Sequence, residues 1–220
     1  MSSKVVVAVD GTSGSGKSST CRGVAGRLGL RYLDTGAQFR AMTWFMLTQD
    51  VDVHDASAVA ARCSEPVITS GTDPFGPTIE VDGVDVSGPI RSAEVTAAVS
   101  PVSTVPEVRA RLLELQRSII GDGGIVVEGR DIGSVVWPRA EVKVYLSADP
   151  TARARRRIAE AAHLGDVSSA EAGLLERDKI DSGRATAPLT MAEDAVHIDT
   201  TDFTLDEVID QVVALAEERS

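Results

Sequence analysis

A glycine-rich segment near the start of the chain constrains the fold more than any other feature of the sequence. Residues 4–9 form an almost continuous β-branched run, which predicts a strand buried on both faces of a parallel sheet. Residues 11–18 read GTSGSGKS and match G-x-x-x-x-G-K-[ST] in full, and a helix is predicted over 17–28. Such a loop directs backbone N–H groups and a helix N-terminus at phosphate oxygens, so it predicts a nucleoside triphosphate site.

The predicted donor site consists of this loop and the residue that follows it. Its members are Gly11, Thr12, Ser13, Gly14, Ser15, Gly16, Lys17, Ser18 and Ser19. Lys17 is placed to reach the β- and γ-phosphate oxygens of ATP, and the Ser18 hydroxyl to bind Mg²⁺. ATP and Mg²⁺ are therefore the expected cofactors. The alternative is a turn of small residues that carries a lysine by chance. It would not explain why the motif lies between a buried strand and the start of a helix.

The remainder of the chain alternates strand and helix patterns, which is typical of an α/β fold with a parallel sheet. Four further strands are predicted at 31–34, 124–128, 142–146 and 196–198. Further helices are predicted at 37–47, 55–63, 92–99, 106–120, 148–162, 169–180 and 205–218, and a turn at 35–36. With 220 residues, the chain is expected to form a single domain over 1–220.

The composition changes between about residues 66 and 90, where glycine and proline become frequent. Alternating segments flank Asp82-Gly83, a dipeptide that favours a tight hairpin turn. We predict a small antiparallel β insert in this stretch. A long loop is the alternative.

Charge and cysteine content exclude several classes of partner. The net charge is −11, from 22 basic and 33 acidic residues, which argues against a protein that binds polymeric nucleic acid. The two cysteines show no paired spacing, as expected of a reduced cytoplasmic protein. No targeting segment or membrane span is recognisable, so no membrane partner is predicted. We expect a monomer.

The absence of one residue type narrows the function. The chain contains no asparagine, so the Asn-Lys-x-Asp motif by which GTPases bind guanine is absent. A motor or transporter ATPase would normally need a longer chain or partner domains. Among the classes of protein with this loop, a small kinase that acts on a nucleotide or a metabolite is the one that remains.

Five motifs follow the same order as in one kinase family. They are the loop at 11–19, DTGAQFR at 34–40, DVSGPIR at 85–91, EGRD at 128–131 and RDKIDSGR at 177–184. In these motifs the chain resembles bacterial cytidylate kinases, which are P-loop nucleoside monophosphate kinases. The resemblance covers nearly the whole chain. It implies a P-loop kinase core with a five-stranded parallel sheet flanked by helices, a nucleoside monophosphate-binding region at 36–100 that contains the β insert, and an arginine-rich helical lid at 153–184.

The implied activity is transfer of the γ-phosphoryl group of ATP to CMP and dCMP in pyrimidine nucleotide metabolism. The resemblance also implies the residues of the CMP site. They are Thr35, Arg40, Ser100, Arg109, Arg130, Asp131, Arg177, Asp181 and Arg184. Three of these, Arg40, Arg130 and Arg184, are assigned to the acceptor phosphate, since arginine binds phosphate oxygens with a planar fork. The spacing of Arg177, Asp181 and Arg184 also fits a salt-bridge ladder along a helix.

The remaining assignments concern the cytosine base and the donor phosphates. Ser100 and Asp131 are expected to accept from the cytosine amino group, and Arg109 to donate to the ring. In the predicted lid, Arg153, Arg156 and Arg157 share one helix face and Arg155 points away; with Lys17, Arg130 and Arg184 they are the expected catalytic cations. A small-residue segment at 165–169 is expected to let the lid close. An exposed basic helix paired with neighbouring acids is the alternative.

Two other functions stay open on the sequence. One is a kinase for a different small acceptor, such as UMP or a phosphorylated metabolite. The other is a nucleotide-binding interaction module without catalysis, against which the many arginines argue.

Overall fold

A computed structural model describes residues 4–161, 167–184 and 186–219 of the chain. The chain divides into two compact units. The first contains the residues up to Arg31 and those from Asp122 onward, and the second is Tyr32–Gly121. The predicted region 36–100 falls within the second unit and the predicted lid, 153–184, within the first.

Eight strands and eight α-helices make up the described part of the chain. The strands are β1 (Val6–Gly11), β2 (Arg31–Asp34), β3 (Ile68–Ser70), β4 (Ile79–Val81), β5 (Val84–Asp85), β6 (Ile125–Glu128), β7 (Val142–Ser147) and β8 (Val196–Asp199). The helices are α1 (Lys17–Leu28), α2 (Thr35–Thr48), α3 (Ala56–Arg62), α4 (Ala93–Thr104), α5 (Pro106–Ile120), α6 (Pro150–Ala161), α7 (Val167–Gly183) and α8 (Leu205–Glu217).

The predicted five-stranded sheet is confirmed, in the order β2-β6-β1-β7-β8. Strand β1 lies in the middle and pairs in parallel with β6 and β7, and β7 pairs in parallel with β8. Every residue of β1 and β6 is buried, as their uninterrupted apolar sequences predict. The carboxyl ends of β1 and β6 therefore bring the glycine-rich loop and the 128–131 motif to the same edge of the sheet.

Helices cover this sheet by close packing of small and branched side chains. Helix α1 packs against α8, where a Cβ added to Gly23 would lie 2.3 Å from Cδ1 of Ile209. Helix α8 begins with a capping box, in which the Thr204 hydroxyl accepts from the backbone N–H of Glu207 and the Glu207 carboxylate accepts from that of Thr204. Helices α6 and α7 pack against each other.

The second unit contains the predicted β insert, which is a three-stranded antiparallel sheet in the order β3-β4-β5. The turn between β4 and β5 is formed by Asp82 and Gly83, whose φ angles of 52° and 79° are those of the hairpin turn that this dipeptide favours. One side of the insert packs into a core shared with helices α2–α5. Buried members of that core include Met42, Met46, Val59, Ile68, Val81, Ile90, Val102, Val108 and Leu112.

Several predicted boundaries were wrong. The predicted turn at 35–36 is the first turn of α2, because the Asp34 carboxylate accepts from the backbone N–H of Ala37 and caps the helix. Helix α4 continues past residue 99, through Pro101, to Thr104. Proline costs it one backbone hydrogen bond, and burial of Val99 and Val102 on the inner face offsets this. A π-helical turn at Ile132–Val136 was not predicted.

Among the residues that the structure describes, no helix is long and apolar enough to cross a membrane.

Gly11, at the end of β1, provides a test of this packing. Its φ is 148°, and a Cβ there would lie 2.0 Å from the carbonyl oxygen of Leu146 in β7. We expect Gly11→Ala to lower the free energy of unfolding by about 3 kcal/mol or more, because backbone strain and a clash with backbone are combined. Denaturant unfolding measures the change.

The control is Gly173→Ala in α7, where a Cβ would meet nothing within 4 Å. This variant should be as stable as the parent chain or up to about 1 kcal/mol more stable. Equal stability of the Gly11→Ala and Gly173→Ala variants would contradict the close approach of β1 and β7 at Gly11.

Candidate active site

The glycine-rich loop joins β1 to α1 with two glycines in left-handed conformations. Gly14 has a φ of 76°, and Gly16, the residue that precedes α1, has a φ of 87°. Gly14 also allows α6 to approach, because a Cβ there would lie 3.2 Å from Cβ of Arg153. The predicted loop-to-helix junction is thus present, with the N-terminus of α1 at its end.

Lys17, the lysine of the loop motif, is buried and bound to the loop itself. Its Nζ donates to the carbonyl oxygens of Gly11 and Thr12, at 2.9 and 2.6 Å, and lies 3.5 Å from the Ser15 hydroxyl. Burial and the positive charge of Arg130 lower the pKa of Lys17 below its ordinary value. Binding a phosphate would have the opposite effect on this pKa, because an anion favours the ammonium form.

The hydroxyl of Ser18, in the first turn of α1, donates to the Glu128 carboxylate at 3.1 Å. Glu128 ends β6 and is buried. Two hard oxygen donors therefore lie together at the carboxyl edge of the sheet, beside the loop.

Arg130, two residues after β6, connects the loop to α7. Its Nη1 donates to the carbonyl oxygen of Gly11 at 2.7 Å, and its Nε to the Asp181 carboxylate at 2.8 Å. The other oxygen of Asp181 lies 3.4 Å from Nη1 of Arg184, which is itself buried. The structure thus brings together Arg130, Asp181 and Arg184, three of the predicted acceptor residues.

Arg153 of α6 makes a second connection of the same kind. Its Nη1 donates to the carbonyl oxygen of Ser13 at 3.0 Å and forms an ion pair with Asp178 of α7. The Asp178 carboxylate also accepts from the backbone N–H of Ser13 at 3.1 Å. Arg153 and Asp178 therefore hold both backbone polar groups of one loop residue.

The other arginines of α6 have different surroundings. Arg156 donates to the hydroxyl and to the carbonyl oxygen of Thr200, at 2.8 and 2.6 Å, and the Thr200 hydroxyl donates to the carbonyl oxygen of Ser15 at 3.1 Å. Arg157 is half-buried, and Arg155 is exposed, as the helical spacing predicts. Residues 165–166 of the predicted closing segment at 165–169 lie outside the described residues.

Asp10, the last residue before the loop, is buried and binds the π-helical turn. Its two carboxylate oxygens accept from the backbone N–H groups of Ile132 and Gly133, at 2.7 and 2.8 Å. Burial raises the pKa of Asp10 to about 6, although these two hydrogen bonds act in the opposite direction. Asp131, which precedes the turn, is buried as well, and Arg177 is half-buried on α7.

The second unit contains the other predicted acceptor residues, and α4 connects them. Arg40 of α2 donates to the Thr96 hydroxyl at 2.9 Å and to the carbonyl oxygen of Ile90 at 3.3 Å. Arg109 is buried and donates to the carbonyl oxygen of Ser103 at 3.3 Å. The Ser103 hydroxyl donates to the carbonyl oxygen of Ser100, so Ser100 and Arg109 belong to one hydrogen-bonded chain.

Two residues of α2, Phe39 and Gln38, contact Arg109 and the β insert. The guanidinium of Arg109 lies over the Phe39 ring, with its carbon 5.4 Å from the ring centre. Gln38 is fully buried and donates to the Ser70 hydroxyl of β3 at 3.0 Å, which ties α2 to the insert. Thr35 is buried in the first turn of α2.

Comparison with known proteins identifies the family of this chain. The profile of the cytidylate kinase family matches residues 7–218. The cytidylate kinase of Streptomyces avermitilis is 56% identical over 217 residues, which cover 98% of this chain and 94% of that protein. That of Nocardia farcinica is 51% identical over 212 residues, with coverages of 94% and 91%. This chain belongs to the cytidylate kinase family.

A more distant likeness concerns the fold alone. A crystal structure of an uncharacterized protein from Eubacterium ventriosum has a TM-score of 0.54 at 11% identity, and the match covers 99% of this chain and 100% of the other. The family profile and the identity to curated relatives, and not this likeness, confirm the resemblance to the cytidylate kinase family, and the roles of individual residues remain predictions.

Three residues of this cytidylate kinase-family site were missed by the sequence analysis. Asp178 and Thr200 contact the loop from 165 and 185 residues away, so no spacing rule could associate them with it. Asp10 lies directly before the loop. The signal that could have identified it is an acidic residue at the end of a strand buried on both faces, which requires a specific partner.

Asp10 gives a prediction for the pH dependence of stability. Its pKa is about 6 in the folded chain, against an ordinary value of 3.8. Between these values the folded chain holds a proton that the unfolded chain has released, so stability is lost as the pH rises. Relative to Asp10→Asn, we expect the unfolding free energy of the unmodified chain to fall by about 2 kcal/mol between pH 4 and pH 7.

Urea unfolding of the unmodified chain and of Asp10→Asn at several pH values measures this difference. The contributions of the other carboxylates to the pH dependence cancel, because both proteins contain them. Asp122→Asn, which removes one carboxylate from an exposed position, is the control for the loss of a single negative charge. A pH-independent difference for Asp10→Asn would contradict the proposed protonation of Asp10 in the folded chain.

Proposed function

We propose that this chain transfers the γ-phosphoryl group of ATP to CMP and dCMP, giving ADP and the corresponding diphosphate. One observation carries the proposal: the phosphate loop and the arginines that donate to it occur in a chain that is more than half identical, over nearly its whole length, to cytidylate kinases. The family accounts for both a triphosphate donor and a monophosphate acceptor.

The donor site in this proposal is the loop with Lys17. The backbone N–H groups of residues 13–18 and the N-terminus of α1 would bind the β- and γ-phosphates. Nζ of Lys17 is already held by carbonyl oxygens of the loop, so its position is restricted before a phosphate binds. Arg156 and Arg157 of α6 would add positive charge, and closure of 153–184 would exclude water.

The acceptor residues of this proposal are assigned by family resemblance, for each unit by itself. In the first unit, Arg130 and Arg184 would bind the acceptor phosphate, and Asp181 with Arg177 the ribose hydroxyls. Asp181 accepts from Nε of Arg130 and forms an ion pair with Arg184, so this carboxylate keeps two guanidinium groups in place and balances their charge. Arg40, a residue of the second unit, is likewise assigned to binding of the acceptor phosphate.

The choice of base would depend on Ser100, Arg109 and Asp131. The cytosine amino group needs an acceptor, which Asp131 or the Ser100 hydroxyl supplies, and the ring needs a donor, which Arg109 supplies. The buried position of Arg109 and its contact with Phe39 support this role, because they restrict the orientation of the guanidinium. Uracil has a carbonyl where cytosine has its amino group, so Asp131 would disfavour UMP.

Magnesium fits the donor set beside the loop. Ser18 and Glu128 offer a hydroxyl and a carboxylate 3.1 Å apart, and Mg²⁺ prefers such oxygen ligands, which it combines with waters and substrate phosphates. When bound there, the ion would neutralise phosphate charge.

No covalent protein intermediate or general base is needed for the transfer. An anionic oxygen of the CMP phosphate attacks the γ-phosphorus, and the bond from that phosphorus to the bridging oxygen breaks, so that ADP leaves. The chain's part is to hold two polyanions in line and to stabilise the charge on the transferred group with Lys17 and the arginines.

The experiment that tests this function measures ADP production from Mg-ATP with CMP, dCMP, UMP and AMP offered separately. We expect rapid turnover with CMP and dCMP and much slower turnover with UMP and AMP. Preference for UMP would assign the chain to a different acceptor. ATP binding without turnover of any acceptor would indicate a non-catalytic nucleotide-binding module.

Two substitutions test the proposed cations. Lys17→Ala and Arg130→Ala should each reduce kcat with CMP by about 10²-fold or more, since each removes a charge that stabilises the transferred group. Arg155→Ala, which removes an exposed arginine of α6, is the matched control and should leave turnover unchanged. Near-normal turnover in a folded Lys17→Ala or Arg130→Ala protein would rule out the role of that residue.

A further inference from the structure

The Asp178 carboxylate of α7 binds directly to the backbone of the phosphate loop. Asp178 accepts from the backbone N–H of Ser13 through Oδ1, while its Oδ2 is paired with Nη1 of Arg153. The same Nη1 donates to the carbonyl oxygen of Ser13 at 3.0 Å. The backbone of Ser13, the Arg153 guanidinium of α6 and the Asp178 carboxylate of α7 therefore each contact the other two. The side chain of Arg153 is only 4% exposed.

These contacts use groups that suit a phosphate. The backbone N–H groups of a loop with this sequence are directed at phosphate oxygens, and a backbone N–H forms one strong hydrogen bond at a time. In this structure the N–H of Ser13 is bound to Asp178. Nε of Arg153 is buried and, within the described part of the chain, has no hydrogen-bond partner, so this guanidinium has a donor to spare.

A carboxylate and a phosphate at the same N–H exclude each other. They compete for one donor, and their like charges repel at short distance in a partly buried site. Asp178 belongs to α7, whereas Ser13 belongs to the loop, so the contact can break without any change in the covalent path of the loop. Binding of a donor phosphate and the Asp178–Ser13 contact are therefore linked equilibria.

We propose that Asp178 is a positioning residue that sets the affinity for the donor. Its carboxylate acts as an internal anion that holds the Ser13 N–H and Arg153 until donor phosphates displace it and take over both groups. This inference rests on the proposed function, because it requires a triphosphate at the loop. It assigns to Asp178 a role opposite to that of Asp181, three residues further along α7, which keeps Arg130 available beside the loop.

The test compares ADP binding to the full chain, to Asp178→Asn and to Glu176→Gln by calorimetry. Asparagine keeps the size and one acceptor oxygen but removes the charge. We therefore expect Asp178→Asn to lower the Kd for ADP by about fivefold. Glu176→Gln removes the same charge from an exposed position on α7 and should change the Kd by less than twofold.

Inorganic tripolyphosphate is the second probe, and it should show the same gain in Asp178→Asn, because the competition is for phosphate. A gain for ADP without one for tripolyphosphate would overturn the proposal, as would an unchanged or higher Kd for ADP. If the unmodified chain bound neither probe, the proposed function itself would fail, which is a different result.

The last measurement uses the unmodified chain and so does not depend on whether a variant folds. The ¹³Cγ resonance of Asp178 and the backbone amide resonance of Ser13 should both shift on saturation with ADP, because the hydrogen bond between them breaks. An unchanged Asp178 resonance at saturation would overturn the proposal. In kinetics, Asp178→Asn should lower KM for ATP and leave KM for CMP unchanged, a split that a purely structural role would not produce.

Discussion

Cationic side chains donate hydrogen bonds to the carbonyl oxygens of the phosphate loop, and the arrangement of the site depends on these contacts. Lys17 and Arg130 share the carbonyl oxygen of Gly11, and Arg153 binds that of Ser13. A loop that turns its N–H groups toward an anion must turn carbonyl groups elsewhere, and buried carbonyl groups need donors. The same cations that suit a phosphate therefore also stabilise the loop that binds it.

Helix α7 supplies the compensating negative charge. Asp178 and Asp181 lie three residues apart, one beside Arg153 and the other beside Arg130, so each of these two guanidinium groups has a carboxylate partner. Buried charges are tolerated only when paired and hydrogen-bonded, which explains why a segment expected to be a lid also carries structural contacts. The chain as a whole is acidic, with a net charge of −11, yet Lys17, Arg130 and Arg153 lie together at the loop where a polyanion would bind.

Local sequence signals predicted most elements well. The bounds of α1, β2 and α5 are those predicted, because each is delimited by glycine, proline or an abrupt change in hydrophobic pattern. The errors at residue 35 and beyond residue 99 have separate causes. A capping side chain started α2 early, and burial on one face carried α4 through Pro101, and neither effect is visible in local propensity.

The sequence by itself determined the phosphate loop, the alternation of strands and helices, and the family, because these depend on residue order over short stretches. Only the tertiary structure decided which side chains reach the loop. Arg153 was identified by its helical spacing, but its partner Asp178 lies on another helix, and Thr200 reaches Ser15 from beyond β8. Contacts between residues more than 100 positions apart follow from the packing of buried strands and helices. A pattern in the linear sequence does not show which of these distant residues are close in space.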